Sequence, residues 1–196
     1  MPQLPPVTKA FLLACVAVFC LDSLLSQTLA VPLGYMQLWP VASGLFYPWQ
    51  LITYAFLHGS FLHIFFNMLG LWMFGSELER VWGSKRYTQI LVASTLSAAL
   101  VQLLVTSLMH SMSPTIGASG ALYGLLLSFG MLFPDRIIVP LIPPIPMKAK
   151  YFVAIFGALE LFMGYSSHDG VAHFAHLGGM LGAYLLIRYW RSVRRR

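Results

Sequence analysis

Short polar segments divide this chain of 196 residues into long apolar runs. Apolar residues make up 58% of the sequence and charged residues only 9%, whereas charged residues are about a quarter of a soluble domain. A bilayer-spanning helix needs about 20 mainly apolar residues. The predicted spans cover about residues 10–31, 61–76, 87–108, 117–134, 149–165 and 170–190. We therefore expect an all-α membrane protein with six transmembrane helices, forming a single domain over residues 1–196.

The positions of the basic residues predict the orientation of these spans. All 12 Lys and Arg residues lie near the N-terminus or close to the segments that follow the second, fourth and sixth spans. Cytoplasmic segments carry the excess of Lys and Arg, so both termini are predicted to be cytoplasmic. The net charge of +6 forms no basic stripe with interleaved aromatic residues, so we expect the lipid bilayer as a partner and no nucleic acid.

The connection between the first two spans lies on the predicted external side. At about 30 residues it is too long for a simple turn, and it contains Trp39, Tyr47 and Trp49 together with several Pro and Gly residues. Because Trp and Tyr are enriched where the membrane meets water, we expect this long first external loop to lie in the interface.

Polar residues inside the apolar spans are candidates for function, because burying a polar group without a partner costs free energy. His63 and Asn67 are four residues apart in the second span and therefore share a helix face. Ser119 begins the fourth span between glycines, where first-turn N–H groups lack intrahelical acceptors. His173 and His176 lie in the sixth span.

These polar clusters are predicted to meet at one depth, since the second, fourth and sixth spans all start on the external side. A serine, a histidine and an amide donor are the nucleophile, general base and oxyanion stabiliser of acyl transfer. Two alternatives stay open. Ser119 with its glycines can be a small-residue contact between helices, and His173 competes with His176 as the base, although Gly178 and Gly179 favour His176.

No carboxylate is predicted beside the candidate base. Asp169 precedes His176 by about 10 Å along the helix, which is too far to orient its ring. Glu160 falls in the external part of the fifth span, where we expect it to be protonated, paired or facing water. A Ser–His dyad with a neutral His176 is therefore predicted. His58 is expected at the interface and His173 near water, and the roles of both stay open.

Three motifs follow one another on alternate spans: H-I-F-F-N at residues 63–67, G-A-S-G at 117–120 and A-H-L-G-G at 175–179. Together they resemble the rhomboid family of intramembrane serine proteases, and the resemblance extends from Trp49 to Gly182. It implies the rhomboid-like six-helix core of the bacterial members, in a multi-pass protein of the bacterial cytoplasmic (inner) membrane. It implies no metal and no cofactor.

The resemblance also implies roles for individual residues. The serine of G-x-S-G is the nucleophile of the family and the histidine of A-H-x-G-G is its base, which here are Ser119 and His176. The implied oxyanion and site-support residues are His63, Asn67, Tyr123 and Gly117, with the tyrosine packed on the catalytic imidazole.

Of two further motifs of the family, this chain departs from one and matches the other. Its Trp-Arg pair aligns with Trp49 and Gln50, so this chain lacks the arginine. Its E-R-x-x-G stretch matches Glu79, Arg80 and Gly83, which implies a cytoplasmic structural lock.

Two functions from different classes follow. The first is an intramembrane serine endopeptidase that cuts single-span membrane proteins near the outer end of their transmembrane helix. The alternative is a non-proteolytic rhomboid-like protein that binds or routes transmembrane clients; such relatives usually lack the serine or the histidine, and this chain has both. The partners are transmembrane proteins in either case, and the sequence does not fix the oligomeric state.

Overall fold

The computed structural model describes residues 3–24, 33–141, 143–166 and 172–193. Seven α-helices and two short strands are found in these ranges. They are α1 (Pro6–Leu24), α2 (Gln50–Thr53), α3 (Phe61–Gly70), α4 (Ser76–Leu108), α5 (Ser119–Leu132), β1 (Ile137–Ile138), β2 (Met147–Lys148), α6 (Ala149–Ser166) and α7 (His173–Val193). The protein is mostly helical, as predicted.

Helices α3 and α4 are joined without a loop. A π-helical turn, Leu71–Gly75, connects them, so the helical path runs continuously from Phe61 to Leu108. Its direction changes at Gly83, which has φ +76° and ψ 159° inside the helix. That φ lies in a region where glycine is strongly favoured, so Gly83 separates a segment of residues 61–82 from one of residues 84–108.

Six long helical segments of the described residues overlap the predicted spans in order, and that each of them crosses a membrane stays a prediction. The second segment extends beyond the predicted end at residue 76 because polar residues at the end of an apolar run continue the helix. Two helical stretches, Pro6–Leu24 and Phe61–Leu108, are long and apolar enough to cross a membrane, and Ser119–Leu132 is a shorter apolar helix. The predicted end of the first span, residues 25–31, and the start of the sixth, residues 170–171, lie outside the described residues.

The centre of the bundle is built from α4, α5 and α7, which approach each other across small residues. A Cβ atom on Gly179 of α7 would lie 1.8 Å from the backbone oxygen of Gly120 in α5. Similarly, a Cβ on Gly182 would lie 2.5 Å from the backbone oxygen of Ala93 in α4. Gly178 also faces α4, where its Cβ atom would lie 2.9 Å from the backbone oxygen of Ser97. The contact of Gly179 with Gly120 sets the spacing of α5 and α7, the helices that carry Ser119 and His176.

One end of the bundle carries a cluster of charged residues, and we call it the basic end. There Glu79 accepts hydrogen bonds from the backbone of α1, and Asp135 pairs with Lys148 and Lys150. Arg136 pairs with Glu77, and Arg86 lies over the ring of Trp190 near the end of α7. Chain segments that the positive-inside pattern assigns to one side of a membrane therefore lie together in the fold.

The opposite end is covered in part by residues 33–60, a loop that we predict to be external. Leu38 exchanges two backbone hydrogen bonds with Thr115, at 3.0 and 2.9 Å, and so joins this loop to the segment before α5. Gln50 is fully buried. Its amide accepts from the backbone N–H of Trp39 and donates to the carbonyls of Tyr35 and Leu45. At the position where the family has arginine, this chain thus has a glutamine that holds the loop together.

Candidate active site

Ser119 is the first residue of α5, and its side chain meets the candidate base on α7. The Oγ atom of Ser119 lies 2.8 Å from Nε2 of His176, a hydrogen-bonding distance. Residues 57 apart in sequence meet here because α5 and α7 pack closely along their glycines. His176 is buried, and this contact is the geometry that transfer of a proton from a serine to an imidazole requires.

Tyr123, one turn after the serine, lies flat against the His176 ring. The two ring centroids are 4.3 Å apart and the ring planes differ by 5°. This stacking restricts the rotation of the imidazole. The Tyr123 hydroxyl extends past the ring and donates a hydrogen bond to Oε1 of Glu160 in α6.

Glu160 brings a carboxylate to the candidate base. Its Oε2 lies 2.8 Å from Nδ1 of His176 and 2.7 Å from Nδ1 of His173, and all three residues are buried. The expectation that no carboxylate stands beside His176 is wrong. His173, which we expect near water, is buried and also lines the cavity described below. Helices α6 and α7 are neighbours that run in opposite directions, so Glu160 reaches His176 from another helix.

His63 and Gly117 lie on the other side of the serine. Gly117 has φ +121°, and a Cβ there would lie 2.6 Å from Nε2 of His63 and 3.7 Å from Oγ of Ser119. The His63 imidazole therefore sits directly over the backbone at Gly117, near the serine oxygen. Only glycine leaves space for it, and the backbone strain of any other residue at this φ would add to the clash.

The remaining polar residues of the second span are held less directly. The Asn67 side chain donates to the backbone oxygen of His63 at 2.9 Å, and its Oδ1 has no hydrogen-bond partner among the described residues. His58 is buried in the protein. Its Nε2 is 3.5 Å from the backbone N of Ala118, and its ring contacts that of His63 with centroids 5.0 Å apart. His58 thus supports the segment that precedes Ser119.

A cavity of about 800 Å³ opens beside these groups, and we call this end of the bundle the cavity end. Ser119, His176 and His63 line it, together with polar residues of the segment between α4 and α5 such as Ser113 and Thr115. Polar lining of this kind can hold water. The cavity gives water a route to Ser119, which is one of its lining residues.

The same groups include a set of possible metal ligands. Glu160, His173 and His176 each offer one ligand atom, and these atoms lie within 4.8 Å of one another. One carboxylate and two histidines can bind Zn²⁺. The resemblance implies no metal, and no pattern within a single helix indicates a set whose members come from two helices.

The sequence alone assigns no role to two residues of this site, Glu160 and His173. The signal for Glu160 was its presence as an ionisable residue in an apolar span. Helical periodicity relates residues within one helix only. It therefore does not indicate that His173, His176 and Tyr123, which lie on other helices, contact Glu160. Asp169, the carboxylate considered along the helix of His176, lies outside the described residues.

The chain is similar to members of one known protein family. The rhomboid domain family model matches residues 46–192. Rhomboid protein 1, mitochondrial, of Saccharomyces cerevisiae is 32% identical over 67% of this chain and 39% of its own length. Rhomboid protease GlpG of Klebsiella pneumoniae is 37% identical over 62% of this chain and 41% of its own, and that of Serratia proteamaculans is 28% identical over 97% and 64%.

The chain thus aligns with about two fifths to two thirds of the length of these relatives. The family match covers most of the chain and includes every residue of the site described above. This chain belongs to the rhomboid family and is a membrane protein.

Proposed function

We propose that this chain is an intramembrane serine endopeptidase in which Ser119 is the nucleophile and His176 the general base. The observation that carries the proposal is the 2.8 Å contact between Ser119 Oγ and His176 Nε2 at the wall of the cavity. The relatives of this chain that are named rhomboid protease support the same activity. The small-residue explanation of Ser119 accounts for the glycines around it but not for a histidine on its hydroxyl.

The first half of the reaction forms an acyl-enzyme. Ser119 Oγ attacks the carbonyl carbon of the scissile peptide bond while its proton moves to His176 Nε2. The carbonyl oxygen becomes an oxyanion. The tetrahedral intermediate then collapses, the C–N bond breaks, and His176 returns the proton to the leaving amine.

The second half of the reaction consumes water and restores the enzyme. A water molecule from the cavity attacks the ester carbon and gives one proton to His176 Nε2. The bond from carbon to Ser119 Oγ breaks, and His176 returns that proton to the serine. The products are a new amine terminus and a new carboxyl terminus, so atoms and protons balance over the cycle.

Donors on both sides of Ser119 would stabilise the oxyanion. His63 Nε2 lies above Gly117 and can donate from a neutral ring whose proton is on that nitrogen. The backbone N–H of Ser119 is in the first turn of α5, where no intrahelical acceptor exists. Asn67 is one helical turn from His63 and binds its backbone oxygen, so it would hold His63 in place as well as offer an amide.

The proposed membrane placement follows from the two ends of the bundle. We infer six spans in a bacterial cytoplasmic membrane, with the basic end and both termini in the cytoplasm and the cavity end on the outer side. The substrates would be single-span membrane proteins whose helix unwinds near its outer end, because the amide and carbonyl of an intact helix are engaged in hydrogen bonds.

The test uses the full chain purified and reconstituted in vesicles with a single-span substrate that has Ala, Gly and Pro near its outer end. Ser119→Ala and His176→Ala should reduce cleavage to background, and a fluorophosphonate probe should label the wild type but not Ser119→Ala. Ser107→Ala is the matched serine control, because Ser107 is exposed near the end of α4.

His110→Asn is the matched histidine control. His110 is exposed, and its φ of 53° suits asparagine. Both controls should cleave at the wild-type rate. Undiminished cleavage by Ser119→Ala would disprove the mechanism. A folded wild type that neither cleaves nor reacts with the probe would instead indicate a protein that binds transmembrane clients without cutting them.

A further inference from the structure

We propose that Glu160 is a positioning residue that orients His176, the general base of the proposed Ser119–His176 pair. The inference deepens the proposed peptidase function and rests on it. Its basis is the buried contact between Oε2 of Glu160 and Nδ1 of His176 on the side of the ring opposite to Ser119.

The contact fixes which nitrogen of His176 carries a proton. A neutral imidazole has one N–H and one acceptor nitrogen. An ionised carboxylate only accepts hydrogen bonds, so Nδ1 facing Glu160 must be the N–H. Nε2 is then left with its lone pair directed at the Ser119 hydroxyl, which is the form that a general base requires.

The carboxylate is itself fixed by two further donors. The Tyr123 hydroxyl donates to Oε1, and Nδ1 of His173 faces the same Oε2 as His176 does. Donors from α5 and α7 thus surround a carboxylate from α6. A buried, ionised carboxylate is costly without hydrogen-bond donors. The three donors here offset the cost of burying an ionised Glu160 beside His176.

The arrangement also stabilises the charge that develops during the reaction. When His176 takes the serine proton, its ring becomes positive next to a carboxylate 2.8 Å away. The proton remains on the imidazole, and Glu160, which is itself buried, contributes an opposite charge. The carboxylate interacts more strongly with a positive ring than with a neutral one, so this interaction favours the transition state over the ground state and should act on kcat.

The alternative is that Glu160 has a purely structural role, holding α6 and α7 together without affecting the reaction. In that case, a substitution of Glu160 would lower the stability of the protein and leave the turnover of each folded molecule unchanged. A positioning residue lowers turnover in a folded protein. The distinction therefore requires kcat and KM measured on folded protein together with its thermal stability.

A bound metal ion is the other alternative for the cluster of Glu160, His173 and His176. A cation on Nδ1 of His176 would leave the ring proton on Nε2, which then could not accept the proton of Ser119. The positioning role therefore predicts that activity survives treatment with a chelator and that Zn²⁺ inhibits. Activity lost with chelator and restored by Zn²⁺ would overturn it.

The decisive variants are Glu160→Gln, which keeps the shape but not the charge, and Glu160→Asp, which keeps the charge. We expect Glu160→Gln to lower kcat on the order of 10²- to 10⁴-fold with KM nearly unchanged. Glu160→Asp should recover part of this loss. Glu77→Gln is the matched control, because Glu77 pairs with Arg136 at the basic end, and it should behave as wild type.

A second measurement tests the contact independently of turnover. With nitrogen-15 in the histidine rings, the Nδ1 proton of His176 should give a downfield resonance that disappears in Glu160→Gln and persists in His173→Asn. Wild-type kcat in folded Glu160→Gln, or an unchanged His176 resonance, would overturn the positioning role. Failure of the peptidase proposal would appear differently, as a wild type that does not cleave.

Discussion

Glu79 and Glu160 are both buried glutamates in helices, but they accept hydrogen bonds from different kinds of donor. Glu79, at the basic end, accepts from the backbone N–H groups of Val7 and Thr8 and from the hydroxyls of Thr8 and Ser84. At the cavity end, Glu160 faces two imidazoles and a phenol.

The difference indicates what each carboxylate can do. Amide N–H and aliphatic hydroxyl donors keep their protons throughout a reaction, so Glu79 can only hold the start of α1 against the segment around Gly83. Imidazole donors change their protonation during acyl transfer, so Glu160 can influence chemistry. Both carboxylates are buried. The kind of hydrogen-bond donor that each one faces therefore distinguishes a structural role from a chemical one.

The largest effect on stability is expected at the basic end. Glu79→Ala leaves two backbone N–H groups at the start of α1 without their acceptor, and each buried unsatisfied group costs about 1–3 kcal/mol. We expect a loss of about 3–5 kcal/mol in the free energy of unfolding, seen as a lower melting temperature in detergent micelles. The remaining folded protein should keep its kcat.

Glu77→Ala is the control for that change, because its pair with Arg136 is partly exposed and such pairs contribute little. A Glu79 variant with normal stability and reduced kcat would reverse the roles assigned to the two carboxylates.

At the cavity end, Gly117→Ala should damage chemistry more than fold. The new methyl group would collide with Nε2 of His63, and the φ of +121° is unfavourable for alanine. We expect cleavage to fall at least about 100-fold, with a loss of about 1–3 kcal/mol in stability. Gly34→Ala is a suitable control, since nothing lies within 4 Å of the new methyl group. Cleavage near the wild-type rate would show that His63 is not needed where it lies.

Tyr123→Phe separates stacking from hydrogen bonding at Glu160. The ring can still lie against His176, while Glu160 loses one of its three donors. One buried hydrogen bond is worth about 1–2 kcal/mol, so kcat should fall about 5- to 30-fold. A decrease as large as that of Glu160→Gln would mean that Tyr123 acts mainly in another way, such as contact with substrate.

The smallest effect is expected from Asp135, the exposed carboxylate of the basic end. Hydrogen bonds from Lys150 and Lys148 lower the pKa of Asp135 below its ordinary value. The pair therefore stabilises the protein above the unfolded-state pKa of about 3.9, and this contribution is lost as the pH falls through the lower folded-state pKa.

Because Asp135 is exposed, solvent and salt screen this contribution. Asp135→Asn should leave the melting temperature unchanged within error at pH 7, and added salt should not alter that result. A clear destabilisation would show that exposed charges at this end matter as much as the buried Glu79.

The helical architecture was predictable because its signals are local. Apolar runs separated by polar segments indicate the long helices, and the glycines of α7 indicate close packing. The H-x-x-x-N, G-x-S-G and A-H-x-G-G motifs also selected Ser119 and His176 as candidates, and their side chains meet in the fold. Helix ends were less accurate, since polar residues continue the second segment to residue 82.

The composition and order of the apolar runs determined that this is a helical membrane protein, and three spaced motifs determined which residues to examine. Only the tertiary structure brought Glu160 of α6 to His173 and His176 of α7. Helical periodicity relates residues a few positions apart on one helix, whereas the angle and depth at which two helices pack depend on every side chain between them. For that reason the sequence predicted a dyad, and the fold put a carboxylate beside it.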